Sequence, residues 1–442
     1  MITQLKLVSE RFLKSIENKK VNIITHHDTD GISSAAILIK ALKRINKDFS
    51  IKIIKQLEKE MIDELVRENE VNVFLDLGSS NIGELGKVKG EVFVIDHHQI
   101  DSAKIGSVNI VNPNITGDPD ISGSSLTYLF TKEISKENTN LAKLAIIGMI
   151  GDMLEKNINH FTDQIIKDAK EVVVKKGLSF FSATRPLHKA LEFSNIYISG
   201  VTGKENGAIH FLNEIGIEWK VNGSYRTPLD LNDHENSKLI TSLLLRIASD
   251  NGDHERLISN IYLIKFLNKM EDSRELSTLI NACSRLGYSE VALALCLESK
   301  KAKEKAETIY AEYKQNLVSA LNLIENIDKI EGKNYVIINA RDEIKDTIVG
   351  TVASMLSNSS KYSPDTIIIT MAYCEDNKDK IKISGRVKCG RNIAEILSKV
   401  MADLGGECGG HPNAAGCLIA KEQEKDFIEK LKKELEIEVV KF

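Results

Sequence analysis

The fold class is decided by residues 21–44, which read VNIITHHDTDGISSAAILIKALKR. A mostly β-branched run, Val21 to Thr25, is followed by a short polar segment and by a stretch with helical spacing, Ser33 to Arg44, whose apolar residues share one face. A buried strand followed by an amphipathic helix is the repeating unit of a parallel α/β sheet. We therefore predict an α/β fold for this part of the chain.

Two further strand-like runs end, like the first, in acidic or imidazole side chains. Val71 to Leu75 stops at Asp76, and Glu91 to Ile95 stops at the triplet Asp96-His97-His98. Ligands in open parallel sheets bind at the carboxyl ends of the strands. We therefore expect these side chains to meet the polar segment that follows the first strand.

The residue types at this point favour a metal centre. An apolar helix predicted over Asn140 to Met149 would bring a further carboxylate, Asp152, to the same place. Carboxylates with imidazole and without thiolate suit Mn²⁺ or Mg²⁺, and Mn²⁺ accepts imidazole more readily. Two metals that share one carboxylate would relieve the repulsion among the anionic ligands and activate a water for attack on phosphorus. The residues alone therefore predict phosphoryl hydrolysis.

Composition limits the partners and the compartment. The chain has 442 residues, enough for two or three domains, and its 59 Lys and Arg against 63 Asp and Glu give a formal charge of −4. Because the two signs are interspersed, nucleic acid would have to bind in a local groove. The six cysteines form no CxxC pair, which favours a reduced intracellular protein and disfavours a zinc ribbon. No apolar run approaches a membrane span and no apolar signal core is present, so we expect a cytoplasmic protein without a membrane partner.

Four segments are predicted along the chain. A parallel-sheet α/β domain covers 1–195, a middle domain or insertion covers 196–299, a connector helix covers 300–327, and a smaller α/β domain covers 328–442. The connector is predicted because Lys300 to Asn326 is helically periodic and contains neither Gly nor Pro. The other elements predicted beyond residue 200 are the helices Ser237 to Ala248, Thr347 to Leu356 and Asn392 to Ala402 and the strands Tyr335 to Asn339, Thr366 to Ala372, Lys380 to Ser384 and Gly416 to Ala420.

These motifs resemble those of a known family. The order of motifs is that of the DHH phosphoesterase superfamily: His26-x-Asp28-x-Asp30-Gly31, then Asp76, Asp96-His97-His98 and Asp152. Residues 409–416, GGHPNAAG, resemble the GGHxxAAG signature of the associated C-terminal domain, DHHA1, and Ser384-Gly385-Arg386 also matches that domain. The segment from Leu279 to Gly287 is similar to the one that precedes DHHA1 in RecJ-type nucleases, and the HxD spacing at His26 is of the RecJ type.

The resemblance implies two divalent metal ions, Mn²⁺ in preference to Mg²⁺, that share one carboxylate. The implied ligands are His26, Asp28 and Asp76 for the first ion and Asp30, Asp76, His97 and Asp152 for the second. His98 would face the scissile phosphate, and Asp96 would orient the ligand histidines from behind. Together with Asp76, these two residues are the ones expected to act in catalysis.

The resemblance also implies a substrate-binding role for the C-terminal domain. The residues expected to bind substrate are Ser384, Arg386, Gly409, Gly410, His411 and Ala414. The glycines of residues 409–416 would let backbone N–H groups approach a phosphate, while His411 and Arg386 would supply charge or hydrogen-bond donors.

The implied activity is that of a RecJ-like exonuclease, resembling the archaeal branch, which releases mononucleotides from single-stranded DNA or RNA in replication or repair. The extra surface of residues 196–327 favours such a polymeric substrate over a small one. In the archaeal branch such nucleases can associate with the replication factor GINS, so a replisome partner is a hypothesis that rests on the family alone.

Two other functions stay open. One is a phosphodiesterase for very short RNAs, as in oligoribonucleases, or for cyclic dinucleotides or 3′-phosphoadenosine phosphate. The other is a non-enzymatic scaffold like the eukaryotic replication protein Cdc45, a relative of RecJ that has lost catalysis. Such a scaffold should have lost metal ligands, and here they are intact. The net acidity and the single tryptophan argue against a strong stacking platform for single strands.

Other polar residues are predicted to have structural roles. His27 is expected to be a bystander beside the ligands. Asn112-Pro113 and Ser122-Gly123-Ser124 would either shape a loop near the metals or form a turn and a helix N-cap, and we predict the turn and the cap. Histidines without a partner pattern are expected at the surface or in structural contacts, among them His160, His188 and His210.

Overall fold

The computed structural model describes residues 1–178, 182–194, 198–248, 258–359, 361–405 and 408–437. The chain divides into two compact units, one formed by Met1–Leu191 and Ala208–Tyr310 and the other by Glu192–Gly207 and Ala311–Phe442. The domain boundary predicted after Asn195 lies outside the described residues. Among the described helices, none is both long enough and apolar enough to cross a membrane.

The N-terminal part of the first unit is built on a five-stranded parallel sheet. Its strands are β1 Val21–His26, β2 Phe49–Ile54, β3 Val71–Leu75, β4 Glu91–Ile95 and β5 Asn109–Val111, in the order β2-β1-β3-β4-β5. Its helices are α1 Ile2–Ser15, α2 Thr29–Arg44, α3 Ile62–Leu65, α4 Ile82–Leu85, α5 Pro113–Thr116, α6 Gly123–Ile134, α7 Ala142–Gly151 and α8 His160–Asp168. The predicted parallel α/β architecture is confirmed.

The three predicted strands are the central ones. β1, β3 and β4 are buried along almost their whole length, and strands covered on both faces read as continuous apolar runs. The sequence analysis missed the two edge strands, because β2 is mostly half-buried and β5 is only three residues long.

The middle of the chain adds a second sheet and further helices. Residues 172–297 contain β6 Val172–Leu178, β7 Lys220–Val221, β8 Ser224–Tyr225, β9 Ile258–Phe266 and β10 Lys269–Asp272, with helices α9 Leu187–Glu192, α10 Glu205–Glu214, α11 Asp233–Ala248, α12 Ser273–Arg285 and α13 Ser289–Cys296. β10, β9 and β6 form an antiparallel sheet in that order. The helix predicted over Ser237 to Ala248 is the larger part of α11.

The core of the first unit is centred on α7. This helix is buried on nearly all sides and packs against α2, α6 and α12. It starts two residues later than predicted, because residues Lys136–Leu141 form a 3₁₀ helix. The cluster that includes Ile146 also contains Leu279 of α12, so part of the middle region shares a core with the helices α2 and α7.

The predicted connector is a continuous helix, α14 Lys300–Asn326, with the predicted bounds. Its first turns belong to the first unit, where Ala302, Ala306 and Ile309 are part of the same apolar cluster as α7. The division between the two units falls within the helix, after Tyr310.

The second unit holds a six-stranded mixed sheet. Its elements are the strands β11 Lys329–Gly332, β12 Tyr335–Asn339, β13 Ile367–Tyr373, β14 Lys380–Arg386, β15 Cys408–His411 and β16 Ala414–Ala420 and the helices α15 Asp346–Ser357, α16 Ile393–Ala402 and α17 Glu424–Glu436. The order is β11-β12-β13-β14-β16-β15, and only β12 and β13 are parallel. The predicted smaller α/β domain is confirmed, and each element predicted in it lies within two residues of its observed bounds.

Candidate metal centre

The polar segment after β1 is fixed by a helix cap. Asp28 is the N-cap of α2, and its Oδ1 accepts hydrogen bonds from the backbone N–H groups of Asp30 (3.1 Å) and Gly31 (3.0 Å). This cap makes α2 begin at Thr29, four residues before the predicted Ser33. Its other oxygen, Oδ2, lies 3.1 Å from Nδ1 of His26. Asp28 therefore uses one oxygen for the helix and presents the other to the cluster.

Gly31 allows the chain to turn this tightly. A Cβ atom at residue 31 would lie 2.4 Å from the carbonyl oxygen of His26. Any side chain would force the strand end and the helix start apart, so the spacing of His26, Asp28 and Asp30 depends on this glycine.

Asp76 lies at the centre of the cluster. It follows β3 in the left-handed region, with φ of 57°, which aspartate tolerates better than most residues. Its N–H donates to the carbonyl of Ile95 (2.9 Å), and its side chain is almost fully buried. Its Oδ2 is 3.4 Å from Nδ1 of His26, and its Oδ1 is 3.5 Å from Nε2 of His97. Asp76 therefore faces ligands on both sides.

Asp30 is fully buried and is held by the start of α6. Its Oδ2 accepts from the N–H of Gly123 (2.5 Å) and its Oδ1 from the N–H of Ser124 (3.0 Å). The N-cap predicted at Ser122 is present, since its Oγ accepts from the N–H of Ser125 (3.2 Å). The predicted cap is therefore present, and the same turn also contacts a carboxylate of the cluster, as in the alternative role considered for this segment.

Asp152 and His97 complete the far side of the cluster. Asp152 ends α7, and its Oδ2 lies 3.2 Å from Nε2 of His97. The opposite ring nitrogen of His97, Nδ1, lies 3.1 Å from Oδ1 of Asp120, a residue that the sequence analysis did not single out. The imidazole therefore stands between the cluster and an outer carboxylate.

Asp96 was expected to orient the ligand histidines, and the structure corrects part of this. Its Oδ1 lies 2.7 Å from Nδ1 of His98 and also accepts from the N–H of His97 (2.9 Å). Its Oδ2 accepts from the N–H of Ser79 (2.9 Å). Asp96 therefore orients the ring of His98 but only the backbone of His97, whose ring contacts Asp120 instead.

The predicted ligands are brought together in two groups that share Asp76. One group is His26, Asp28 and Asp76, and the other is Asp30, Asp76, His97 and Asp152; in each, one ligand atom per residue lies within 4.8 Å of the others. A third arrangement, Asp76 with His97 and His98, meets the same criterion. These groups have the spacing and the donors of two adjacent cation sites with a common carboxylate.

Burial and neighbouring charges shift the pKa values of the carboxylates in the cluster. Burial, with the nearby charges of Asp152 and Asp76, raises the pKa of Asp30 well above its ordinary value. Burial also raises the pKa of Asp152, although His97 opposes the shift. Burial would also raise the pKa of Asp28, but His26, the N–H of Gly31 and His27 together outweigh burial and lower that pKa. Without cations the site therefore carries more negative charge than its surroundings favour.

The histidines respond to the same charges. Burial alone would lower the pKa of His26, but the adjacent Asp28 and Asp76 outweigh it and raise the pKa well above 6.5. Burial opposes a rise at His97 as well, yet Asp120, Asp152 and Asp76 raise its pKa. Burial would lower the pKa of His98, but Asp96 and the charge of Asp76 together raise it to about 9. Protons on the imidazoles thus neutralise part of the charge that cations would neutralise.

The residues fit a pair of divalent cations. Three buried atoms that face the cluster make no hydrogen bond within the described part of the chain: His26 Nδ1, Asp76 Oδ1 and His97 Nε2. Such buried atoms require a partner. Carboxylate oxygens with two or three imidazole nitrogens and no thiolate are the donors expected for Mn²⁺ or Mg²⁺.

α12 forms hydrogen bonds with the first residue of α2, next to the cluster. Its Asn281 accepts from the N–H of Thr29 (3.1 Å), and the hydroxyl of Thr29 donates to the carbonyl of Ser277 (2.9 Å). Asn281 lies in the segment from Leu279 to Gly287, and its contact joins that segment to the start of α2. Asn114 adds a further contact, because its side-chain amide donates to the carbonyl of His97 (2.8 Å).

The other histidines remain outside the ligand groups. His27 packs edge-on against the ring of His26, and burial lowers its pKa to about 3. His188 is buried against Trp219 and Tyr225, whereas the side chain of His210 is 82% exposed. None of them belongs to a cluster that could hold a metal among the residues described.

In the second unit, Ser384 and Arg386 lie on the face of the sheet that packs against α15. Nε of Arg386 donates to Oγ of Ser354 in α15 (3.0 Å), and Nη1 donates to the carbonyl of Ala415 (3.3 Å). Ser384 is buried, and its backbone pairs with Gly416. The guanidinium group is thus held beside the glycine-rich segment.

The glycine-rich segment is a β-hairpin, and its second strand includes the predicted strand Gly416 to Ala420. The strands β15 and β16 pair Gly409 with Gly416, Gly410 with Ala415 and His411 with Ala414. Gly410 has φ of 137°, and a Cβ there would lie 2.4 Å from the carbonyl oxygen of Ala414. Gly410 and Gly416 thus allow close strand pairing, and His411 is exposed at the tip. The backbone of Ala414 pairs with Arg386 on its other side.

The fold and both sets of residues define a DHH/DHHA1 protein. Residues 20–149 match the DHH family, N-terminal domain, residues 180–261 match the DHH-CID domain, and residues 332–436 match the DHHA1 domain. The chain therefore contains DHH, DHH-CID and DHHA1 domains in that order and has a RecJ-like fold.

The chain is similar to other proteins over nearly its whole length. An uncharacterized protein of Methanocaldococcus jannaschii is 29% identical over 454 residues, which cover 98% of each chain. CDC45 from Entamoeba histolytica is 13% identical, with a TM-score of 0.65 over 97% of this chain and 99% of that one. RecJ in complex with Mn²⁺ from Thermus thermophilus is 17% identical, with a TM-score of 0.61 over 98% of this chain but only 55% of that one. At these identities the two solved structures establish the fold.

Proposed function

We propose that this protein is a divalent-metal-dependent exonuclease that hydrolyses single-stranded DNA or RNA to mononucleotides. The observation that carries the proposal is the convergence of two ligand groups on one buried carboxylate, Asp76. A shared carboxylate between two cations is the arrangement used for in-line displacement at phosphorus. It also accounts for the three buried polar atoms that make no hydrogen bond to any residue that the structure describes.

His26, Asp28 and Asp76 would hold one cation, and Asp30, Asp76, His97 and Asp152 would hold the other. Bound there, Mn²⁺ or Mg²⁺ would supply Lewis-acid chemistry that acidifies a water and offsets phosphoryl charge. The chain itself keeps the ligand oxygens in place before any cation binds. The cap of α2 fixes Asp28, and the first N–H groups of α6 fix Asp30.

His98 is proposed to contact the scissile phosphate. Its Nδ1 is engaged by Asp96, which leaves Nε2 for another partner, and about half of the side chain is exposed. The buried carboxylate behind the ring favours the imidazolium form, whose Nε2–H can donate to a phosphoryl oxygen. A donor held in this way stabilises the charge that develops in the transition state.

The second unit is proposed to bind the substrate. Arg386 would contribute charge and directed N–H donors, and its contacts with Ser354 and Ala415 fix its orientation. The other residues expected to bind substrate lie on three neighbouring strands of the same sheet. These are Ser384 on β14, Gly409, Gly410 and His411 on β15, and Ala414 on β16. We retain the four predicted segments and assign hydrolysis to residues 1–195 and substrate binding to residues 328–442. Residues 196–299 and 300–327 lie between these two segments in the sequence.

A polymeric substrate is favoured by the region between the two terminal domains. Residues 180–261 match a separate domain type, and β6, β9 and β10 form a sheet of their own. A compact enzyme for dinucleotides would not need this surface. Association with GINS or another replisome component is retained as a hypothesis of the family resemblance, to be tested by mixing the purified proteins at micromolar concentration.

The test is degradation of 5′- and 3′-labelled single-stranded DNA and RNA with Mn²⁺, compared with the Asp76→Asn variant. Asparagine tolerates the left-handed backbone of residue 76, so this variant should fold. Asp163→Ala, which removes an exposed acid paired with Lys167, is the matched control. We expect mononucleotide release by the wild type and the control, and none by Asp76→Asn.

Other results would select another function. Cleavage confined to di- to pentanucleotides or cyclic dinucleotides would make the protein a short-substrate phosphodiesterase. Survival of every substrate, with Mn²⁺ bound, would favour a scaffold of the kind that the full-length likeness to CDC45 suggests.

A further inference from the structure

His97 is the one proposed ligand whose ring is held from both sides by carboxylates. Its Nε2 faces the cluster, 3.2 Å from Asp152 and 3.5 Å from Asp76. Its Nδ1 faces away and lies 3.1 Å from Oδ1 of Asp120. An imidazole in this position has its tautomer set by the outer contact, because a proton on Nδ1 leaves the lone pair on Nε2.

Asp120 is held in place by its backbone. Its carbonyl oxygen accepts from the side-chain amide of Asn159 (3.0 Å), and Asn159 is itself the N-cap of α8, in a capping box with Thr162. Its carboxylate is 56% exposed and has no other side-chain partner among the contacts described. The short loop that carries it leads directly into the α6 N-terminus that binds Asp30.

We propose that Asp120 is a positioning residue, which orients His97 so that Nε2 is presented as a metal ligand. This inference rests on the proposed function, since it requires the group of Asp30, Asp76, His97 and Asp152 to hold a cation. A carboxylate behind a ligand histidine fixes the ring and increases the basicity of its coordinating nitrogen. Asp96 cannot do this for His97, because Asp96 contacts only its backbone.

The proposal makes the effect of Asp120 specific to one cation. His97 is absent from the group of His26, Asp28 and Asp76. Loss of Asp120 should therefore weaken one of two Mn²⁺ sites and leave the other nearly unchanged. A merely structural role would instead lower the stability of the fold and leave the affinity of the folded protein for Mn²⁺ as it was.

The experiment is a Mn²⁺ titration of the full-length protein, followed by electron paramagnetic resonance, with pulsed measurement of the ¹⁴N coupling from coordinated imidazole. The variants are Asp120→Ala and Asp120→Asn, and Asp163→Ala is the control for loss of an exposed aspartate. We expect Asp120→Ala to weaken one site by about 10- to 100-fold and to reduce the ¹⁴N coupling. Asp120→Asn keeps an acceptor oxygen for Nδ1–H and should fall between Asp120→Ala and the wild type.

The outcomes separate this inference from the proposed function. If the wild type binds no Mn²⁺, the proposed function fails. If the wild type binds two ions and Asp120→Ala binds both with equal affinity and an unchanged ¹⁴N coupling, only the positioning role of Asp120 is overturned. Thermal unfolding of each variant identifies any loss of signal that comes from misfolding, and Asp120→Asn then provides the decisive comparison.

Discussion

At the residue scale, the site depends on side chains that each serve two purposes. Asp28 caps α2 with one oxygen and faces His26 with the other. Asp76 is buried in a left-handed backbone conformation that strand residues rarely adopt, and such strain is kept where the surrounding structure requires it. The geometry of the ligands is therefore built into the fold before any metal binds.

A prediction at this scale concerns His98. The change His98→Gln should lower kcat by about 10²- to 10³-fold, because it removes a donor aimed at the developing charge. The affinity for Mn²⁺ should not change if His98 faces the substrate rather than a metal. Steady-state kinetics and a Mn²⁺ titration measure the two effects separately.

His210→Gln is the control, because its side chain is 82% exposed. Weaker binding of Mn²⁺ by His98→Gln would contradict the assigned role. It would instead favour the alternative group in which His98 joins Asp76 and His97 as a ligand.

Residue types predict the ligands but not all of their supports. The proposed ligands were found because they lie at strand and helix ends in short motifs. Asp120 lies in a loop without a motif, and nothing in the sequence distinguishes it from other exposed acids. Its contact with His97 follows only from the folded path of the loop before α6.

At the scale of elements, α7 must approach the cluster closely. A Cβ at Gly148 would lie 2.0 Å from Oγ of Ser124 and 2.3 Å from Oδ1 of Asp30. Alanine is normally the better helix former by about 1 kcal/mol. We nevertheless expect Gly148→Ala to destabilise the protein by about 1–3 kcal/mol, because the clash must be relieved by moving α7 or α6.

Urea unfolding measures this effect, and Gly83→Ala is the matched control. Gly83 is also helical, but a Cβ there would be 3.4 Å from the side chain of Lys104, an ordinary contact. That substitution should be neutral or slightly stabilising. Equal effects of the two substitutions would mean that α7 does not approach Asp30 as closely as described.

Buried elements were predicted better than edge elements. β1, β3, β4 and α14 have the predicted bounds to within one residue, since continuous apolar or helically periodic runs are distinctive. β2 and β5 lack such runs, and β15 contains two glycines that read as a loop. Whether such a segment pairs is decided by its neighbour β16 and not by its own sequence.

At the scale of the whole molecule, the cations should stabilise only one of the two units. All six proposed metal ligands lie within the first unit, and the described part of the second unit contains no comparable group. A ligand that binds only the folded state, and is present at a concentration of 100 times its Kd, stabilises that state by about 2.7 kcal/mol. The stabilisation should therefore be local to the first unit.

Hydrogen–deuterium exchange with and without Mn²⁺ checks this prediction. We expect slower exchange in α2, α6 and α7 when Mn²⁺ is present and no change in α15 and α16. Asp76→Asn should lose the effect. Slower exchange throughout the second unit, or no change in the first, would be inconsistent with the proposed location of the metal ions.

The central claim is that two cations share Asp76, and anomalous diffraction at the manganese edge tests it most directly. Crystals grown with Mn²⁺ should show two anomalous peaks about 3.5–4 Å apart. One peak should contact His26 and Asp28, the other Asp30, His97 and Asp152, and both should contact Asp76. A single peak, or peaks that do not contact Asp76, would contradict the account.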